Sequence, residues 1–202
     1  MQITLTNTGK RFNREWIFRG FSYQFSSPKK YAITGANGSG KSTLLQVIAG
    51  ALTHSEGTVD FLNGQTITPE NHFNHLSIAA PYLELIEEMT ATEFLSFHTQ
   101  FKPFTISFEE ALKTVNLSNA ANKQIRYYSS GMKQRLKLAQ AFFSKTPVLL
   151  LDEPTTNLDR EGVELYRNLV SQYTSERLVI ISSNVLEEYD FCDEVIAIKD
   201  FK

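Results

Sequence analysis

The chain has little of what secreted or membrane-spanning proteins need. Its only cysteine, Cys192, excludes an intramolecular disulfide and fits a reducing compartment. It lacks a run of about 18 apolar residues, so we expect no segment to span a membrane. The first residues alternate apolar and polar side chains instead of forming the apolar core of a signal peptide. Basic and acidic residues nearly cancel, 20 against 22, so no net charge attracts nucleic acid.

Strand and helix patterns alternate along the 202 residues and predict an α/β fold with a mostly parallel sheet. The first 30 residues alternate apolar and polar side chains, as exposed antiparallel strands do. Two segments, Thr90–Glu93 and Ser107–Glu110, have the spacing of a capping box, which opens a helix. A helical lobe is therefore expected at about 84–128, inserted between parts that are rich in strands.

A glycine-rich run, Gly35-Ala-Asn-Gly-Ser-Gly-Lys-Ser42, follows the short apolar strand that ends at Thr34. Its spacing, between a strand and a helix, matches a phosphate-binding loop. Glycine lets backbone N–H groups approach phosphate oxygens, and the positive end of the next helix faces the same anion. Lys41 is predicted to reach the β- and γ-phosphates, and the Ser42 hydroxyl to ligate Mg²⁺. The candidate nucleotide-binding residues here are Gly35, Asn37, Gly38, Ser39, Gly40, Lys41, Ser42 and Thr43.

Two carboxylates, Asp152 and Glu153, end the apolar strand Val148–Leu151. In a parallel sheet such strand ends lie at the crevice where ligands bind. Asp152 suits a role on Mg²⁺, and Glu153 could polarise an attacking water. A solvated strand end would explain the pair alone, but about 110 residues after a phosphate-binding loop it indicates phosphoryl transfer.

Three further segments resemble the ATP-binding cassette ATPases. Residues 128–136, Tyr-Ser-Ser-Gly-Met-Lys-Gln-Arg-Leu, resemble the family signature, usually Leu-Ser-Gly-Gly-Gln followed by Arg and Leu. Residues 153–159, Glu-Pro-Thr-Thr-Asn-Leu-Asp, resemble the loop that contacts the second subunit. Phe12 lies 23 residues before Gly35, where the family has an aromatic residue that stacks on adenine. The resemblance covers essentially all of residues 1–202 and implies one ATP-binding domain. That domain has a P-loop NTPase core, an N-terminal antiparallel β-subdomain and an inserted α-helical subdomain.

The resemblance also implies a mechanism. Two cassettes close head to tail around two ATP molecules, with ATP and Mg²⁺ as cofactors. The signature of one subunit faces the phosphate loop of the other. The residues implied are Ser129, Ser130, Gly131 and Asp159 for nucleotide contact, Lys41, Glu153 and Asn184 for catalysis, and Ser42 and Asp152 for the metal. The implied partners are a second cassette, for which the retained Glu153 allows a homodimer, and a separate transmembrane permease. The chain would then be peripheral on the cytoplasmic face of the cell membrane, with no span of its own and no nucleic acid.

Three parts of the chain depart from the family pattern. The signature has Ser130 where glycine is usual and Met132 in place of the polar glutamine. The segment from 78 to 84 contains no glutamine; Ala80 or Pro81 stands where the family has one to touch Mg²⁺ and the lytic water. The family histidine that holds the γ-phosphate is replaced by Asn184, or by Ser183 under a one-residue shift. Because an amide carries no charge, we expect slow hydrolysis by the isolated chain.

Other functions remain open at this stage. One is a cassette protein outside transport, although those in translation carry two cassettes and those in DNA repair carry long coiled coils. Another is a nucleotide-binding scaffold that depends on a more complete partner cassette. The transported substrate and the direction of transport are not readable from the chain.

A few remaining side chains receive simpler interpretations. Five phenylalanines are expected to form the core of the helical lobe, although some could line a groove for a partner's helix: Phe94, Phe97, Phe101, Phe104 and Phe108. His72 and His75 are expected on a loop surface, and Lys10 and Arg11 are expected to be an ordinary solvated pair.

Overall fold

The computed structural model describes residues 1–201, which separate into two units along the chain. The first unit takes Met1–Ile78, Pro147–Glu153 and the segment from Glu176 onward. The second takes Ala79–Thr146 and Pro154–Ser175, and the helical lobe expected at about 84–128 falls inside it.

An antiparallel sheet in the first unit is built from the alternating residues near the N-terminus. Its strands are β1 (Gln2–Phe12), β2 (Glu15–Ser26), β4 (Glu56–Asn63) and β5 (Gln65–Ile67), in the order β2-β1-β4-β5. One face carries the large apolar side chains, which are fully buried: Ile3, Leu5, Phe18, Phe21, Phe25 and Phe61. This face supplies part of the core. Alternation of side chains accounts for Ile3 with Leu5 and for Phe21 with Phe25, and a register shift between β1 and β2 interrupts it between Phe18 and Phe21.

The second sheet has five strands, and its central strand pairs are parallel. Its members are β3 (Lys30–Thr34), β6 (Leu76–Ala79), β7 (Val148–Asp152), β8 (Leu178–Ser182) and β9 (Glu194–Ala197). The strand order is β6-β7-β8-β3-β9, with parallel pairing of β7 with β8, β8 with β3 and β3 with β9. Every residue of β7 and β8 is buried, as expected for the interior of a parallel sheet.

One helix of the first unit, α1 (Lys41–Ile48), packs against β7 and β8. Its apolar residues Leu44, Leu45 and Ile48 join the buried side chains of both sheets in one core. The loop between β3 and α1 is thereby held between a buried strand and a buried helix, which fixes the position of its backbone.

The second unit is mainly helical. Its helices are α2 (Ala91–Thr99), α3 (Phe108–Thr114), α4 (Ser130–Phe143) and α5 (Arg160–Tyr173). Thr90 begins α2 with the reciprocal capping box that the sequence predicts, and the Ser107 side chain caps α3. The longest two helices, α4 and α5, pack through edge-to-face contacts of Phe142 with Tyr166 and of Phe143 with Tyr173.

The predicted α/β class with its parallel and antiparallel sheets is confirmed. One side-chain expectation, a loop-surface position for His72, is wrong, and the phenylalanines divide between the two alternatives that the sequence leaves open. Phe97 and Phe101 are 40% and 64% exposed, and their rings contact each other at the surface instead of filling the lobe core as Phe94 does. His72 is buried and stacks on Phe61, with its ring centroid 3.9 Å away, because a short 3-10 turn folds back against β4.

The close approach of the Gly57 backbone to the backbone of Asn7 leads to a stability prediction. Gly57 has φ of 76°, and a Cβ there would lie 2.3 Å from the backbone oxygen of Asn7. Gly50 has nearly the same φ of 73°, but a Cβ would meet nothing within 4 Å. We expect Gly50→Ala to lower the free energy of unfolding by about 1 kcal/mol, the cost of a left-handed backbone. Gly57→Ala should lower it by roughly 1–3 kcal/mol more, because the strands must move apart.

Urea denaturation of both variants measures this difference from the midpoints at unchanged slope. Equal losses in the two variants would show that the close approach of Gly57 to Asn7 does not limit the fold.

Candidate nucleotide-binding and hydrolysis site

The loop after β3 adopts the conformation that its glycines permit. Gly35, Gly38 and Gly40 have φ of 153°, 73° and 102°. A Cβ at Gly40 would lie 2.5 Å from Cγ2 of Ile17, so the absence of a side chain lets β2 approach the loop. Backbone N–H groups in such a loop, followed by the first turn of α1, form a concave binding site for an anion.

Lys41 curls back over this loop. Its side chain is buried, and Nζ donates to the carbonyl oxygens of Gly35 at 2.9 Å and Ala36 at 3.3 Å. A buried ammonium is stable only with such partners, and a phosphate oxygen would be a stronger one because it carries charge. Nearby, Ser39 Oγ is buried and has no hydrogen-bond partner among residues 1–201.

Asp152, the last residue of β7, is the most unusual carboxylate in the first unit. It is 1% exposed, and neither oxygen has a hydrogen-bond partner of good geometry within the described chain. Burial raises the pKa of this carboxyl, while the nearby hydroxyls of Ser182 and Ser42 act in the opposite direction. Two bare carboxylate oxygens beside the Ser42 hydroxyl are the donors that a hard divalent cation prefers. The residues therefore fit a magnesium ion.

Glu153 has a strained backbone. Its φ is 42°, in the left-handed region, and its N–H donates to the carbonyl oxygen of Ser182 at 2.9 Å. Such a conformation costs a non-glycine residue on the order of 1–3 kcal/mol and is typical of functional positions. The turn directs Glu153 away from the line of β7, on which Asp152 lies.

Of the two candidates for the histidine position, the structure brings Asn184 to the loop. Asn184 Nδ2 donates to Oδ1 of Asn37 at 3.1 Å, and both residues are in the first unit. Ser183 is fully buried; its N–H donates to the carbonyl oxygen of Ile33, and its Oγ accepts from the N–H of Val185. An amide at Asn184 can donate to a phosphate without adding charge.

The signature residues open a helix in the second unit. Ser129 caps α4 by accepting from the N–H of Met132 at 3.2 Å, and Ser130 and Gly131 form the first turn. A Cβ at Gly131 would lie 3.0 Å from the carbonyl oxygen of Asn157, so this glycine allows the loop before α5 to approach closely. A cavity of about 340 Å³ results, lined by residues 129–132, Arg135 and residues 157–159.

Asp159 borders that cavity and is fixed by two contacts. Its carboxylate accepts from the N–H of Gly162 at 2.8 Å, capping α5, and from Arg135 at 3.2 Å. The Gly162 N–H, followed by the Arg135 guanidinium, lowers the pKa of Asp159. Gln134, a buried residue of α4, donates to the carbonyl oxygen of Pro154 at 2.8 Å. Hydrogen bonds thus connect the signature segment, residues 128–136, with residues 154–159, although the two are separate in sequence.

The segment that lacks a glutamine is held by a lysine that the sequence analysis did not identify. Ala80 is fully buried, and Lys137 on α4 donates from Nζ to the carbonyl oxygens of Ala80 at 3.3 Å and Pro81 at 2.8 Å. One turn earlier on the same helix, Lys133 forms an ion pair with Glu87. Burial lowers the pKa of Lys137. Helical spacing places Lys133 and Lys137 on one face, but no sequence signal shows what that face contacts.

Comparison with known proteins identifies the family. The family model for ABC transporter proteins matches residues 18–156, which is more than half of the chain. The chain belongs to the ABC transporter ATPases. The resemblance read from the signature is confirmed, and so are the expectations of the ATP-binding cassette fold and of an ATPase.

Relatives of this ABC ATPase cover almost all of it. It is 32% identical over 192 residues to the cytochrome c biogenesis ATP-binding export protein CcmA of Rhizobium etli, covering 91% of the chain and 87% of the relative. It is 31% identical over 204 residues to the ABC transporter ATP-binding protein YxlF of Bacillus subtilis, covering 98% and 68%. An ABC transporter ATP-binding protein of Pyrococcus furiosus shares the fold, with a TM-score of 0.85, 17% identity and full coverage of both chains.

Across residues 1–201 of this cassette, no helix has the length and apolar character needed to cross a bilayer. The described residues also contain no cluster of three or more His, Cys, Asp or Glu side chains arranged to hold a metal. A cation at Asp152 would therefore need oxygen ligands beyond acidic side chains, such as Ser42, phosphate and water.

The unpaired carboxylate of Asp152 generates a prediction that links function to stability. Because its pKa is raised in the folded protein, the charged carboxylate opposes folding above its ordinary pKa, and this cost disappears as the pH falls and the group is protonated. Asp152→Asn should therefore raise the free energy of unfolding at pH 7 by roughly 0.5–2 kcal/mol, the usual gain from relieving a functional site. The gain should shrink toward pH 4.

Thermal or urea unfolding across this pH range measures the effect. Asp200→Asn, at an exposed position, is the matched control and should change little. A loss of stability in Asp152→Asn at pH 7 would contradict the assignment of a costly buried charge.

Proposed function

We propose that this ATPase is the energising subunit of a transporter, closing as a dimer around two ATP molecules to drive a separate membrane-spanning permease. The observation that carries the proposal is the pair of half-sites: an anion-binding loop beside Asp152 in one unit, and the open cavity at the start of α4 in the other. The second half-site has a helix N-terminus, and the cation among its lining residues, Arg135, is already paired with Asp159. It therefore suits a phosphate that another copy already holds.

In this proposal the first unit binds and orients the nucleotide. The N–H groups of residues 35–43 and the Lys41 ammonium hold the phosphates, and Phe12 supports the base. Ser42 and Asp152 hold Mg²⁺, which would neutralise phosphate charge when bound. Glu153 orients the attacking water and accepts its proton, and the strained turn fixes the carboxylate next to the metal ligand.

The second unit completes the site of the other copy. Ser129 and the N–H groups of Ser130 and Gly131 donate to the γ-phosphate across the dimer. The Ser130 side chain is exposed, so its hydroxyl adds bulk at the entrance of the cavity without filling it. Asp159, held by Gly162 and Arg135, is positioned to contact the phosphate loop of the partner copy.

The substitutions at Ala80 and Asn184 suggest slow chemistry with intact binding. Asn184 already reaches the phosphate loop through Asn37, so its geometry suits a phosphate contact but its charge does not. Asn184→His should restore a donor that can carry charge. We expect kcat to rise by about 10–10²-fold, approaching the full value of one charge-stabilising contact.

Steady-state ATP hydrolysis measures this change, and Asn74→His, an exposed substitution away from the loop, serves as the control. A wild-type kcat on the order of 1–100 s⁻¹, typical of efficient enzymes, would overturn the proposal of slow hydrolysis. So would an Asn184→His variant that is no faster.

The proposed location is the cytoplasmic face of the cell membrane, through the permease. CcmA is named as an ATP-binding export protein and YxlF as an ABC transporter ATP-binding protein, which supports such a partner. Phe97 on α2 and Phe101 in the turn after it form an exposed apolar patch of the kind that contacts a partner helix.

The test is purification of the tagged chain carrying Glu153→Gln, with ATP present, from detergent-solubilised membranes of the native host. We expect a stoichiometric multi-span membrane protein and an untagged copy of the cassette. Lys41→Ala, which removes the phosphate contact, should not retain the second copy. A wholly unaccompanied chain, or one bound to ribosomes or nucleic acid, would contradict the transporter proposal.

A second function is favoured by the same two substitutions. A cassette without the glutamine and histidine could act as a nucleotide-binding scaffold for a more complete partner. In that case the purification would return a different cassette protein in place of a second copy.

A further inference from the structure

The hairpin formed by β1 and β2 carries Phe12 near its tip and contacts the phosphate loop through Ile17. Phe12 pairs with Glu15 at the tip of the hairpin, and Ile17, two residues further along β2, is the residue that approaches Gly40. At about 3.3 Å per residue along a strand, Phe12 lies roughly 7 Å beyond the Ile17 contact. That offset is comparable to the distance that a ribose places between a phosphate and its base.

The Phe12 ring already has a cation over it. Residues two apart on a strand point to the same side, and Lys10 Nζ lies 4.9 Å from the centroid of the Phe12 ring. The same ammonium donates to the carbonyl oxygen of Thr53 at 2.8 Å. This second contact anchors the lysine, so the ammonium is held over the ring and not merely passing near it. Phe12 nevertheless remains 45% exposed, which leaves ring surface for another group.

A cation on one face of an aromatic ring changes what the ring can bind. It is attracted to the electron-rich face and draws π-density toward itself. The remaining ring surface then repels the π-electrons of a stacked base less strongly. The contact also restricts the Phe12 side chain to one orientation, so less conformational entropy is lost when a base stacks.

We infer that Lys10 is a positioning residue for nucleotide binding, which fixes and polarises Phe12 so that the adenine base stacks on its remaining surface. The inference rests on the proposed role of Phe12 as the support for the base. Lys10 acts through Phe12 and does not itself touch the nucleotide. Lys10 therefore has a specific role, whereas the sequence suggests only a solvated pair with Arg11.

The test separates binding of the base from binding of the phosphates. Isothermal titration with ADP and with inorganic pyrophosphate gives a ratio of affinities that reports the adenosine part alone. Lys10→Met keeps the length of the side chain but removes the charge, and it should lower this ratio about two- to fivefold, the range for exposed cation–π contacts. Lys10→Arg should restore the ratio, because the guanidinium can occupy the same position over the ring.

Two further variants complete the design. Arg14→Met removes the same charge from the exposed tip of the same hairpin and should leave the ratio unchanged, which controls for long-range attraction of phosphate. Phe12→Ala should lower the ratio by roughly fivefold or more, the loss expected for a stacked base.

Each outcome decides one step of the inference. An unchanged ratio in Lys10→Met with a lowered ratio in Phe12→Ala would overturn the role of Lys10 alone. An unchanged ratio in Phe12→Ala would overturn the support of the base by Phe12, on which the inference rests. An equal loss in Lys10→Met and Arg14→Met would show that only net charge matters.

Discussion

The buried ammonium of Lys41, held by the carbonyl oxygens of Gly35 and Ala36, governs the arrangement of the first unit. The lysine can be buried only because the loop curves so that two carbonyl groups face inward, and the loop can curve only where glycine stands. The same curve points N–H groups outward at an anion. The backbone conformation that satisfies the Lys41 ammonium is therefore also the conformation that suits a phosphate anion.

Asp152 shows the opposite situation, a charge that the protein leaves unsatisfied. Its oxygens end a strand in which every residue is buried, and the strained turn at Glu153 follows at once. Both features cost free energy in the unliganded chain. The cost is concentrated where a cation and a polyphosphate together would remove it, so ligand binding and folding stability are linked at this strand end.

Sequence patterns identified the motifs but not the partners of individual side chains. The phosphate loop, the acidic strand end and the capped helices depend on local spacing, which determines backbone conformation within a few residues. Lys137, in contrast, acts on carbonyl groups more than 50 residues away, and only the packing of α4 shows this. The burial of His72 and the exposure of Phe101 could not be predicted for the same reason. Composition indicates which side chains are apolar but not which face of an element packs against another.

The departures from the family pattern separate two functions that the site usually combines. In the proposed function, the groups retained here, Lys41, Ser42, Asp152 and the loop N–H groups, would contact phosphate and metal in the ground state as well as during reaction. The groups replaced, at Ala80 or Pro81 and at Asn184, are those that the resemblance assigns to the lytic water and the γ-phosphate. Interactions made equally before and during reaction support binding, whereas only those that strengthen in the transition state accelerate it. A cassette with this distribution should close tightly on ATP and hydrolyse it slowly, so that its closed state is long-lived.

Lys137 holds the carbonyl groups of Ala80 and Pro81 to α4. It thereby connects the segment without a glutamine to the helix that begins at the signature. The backbone of this segment is therefore fixed to α4 by hydrogen bonds that do not depend on the side chain at Ala80 or Pro81.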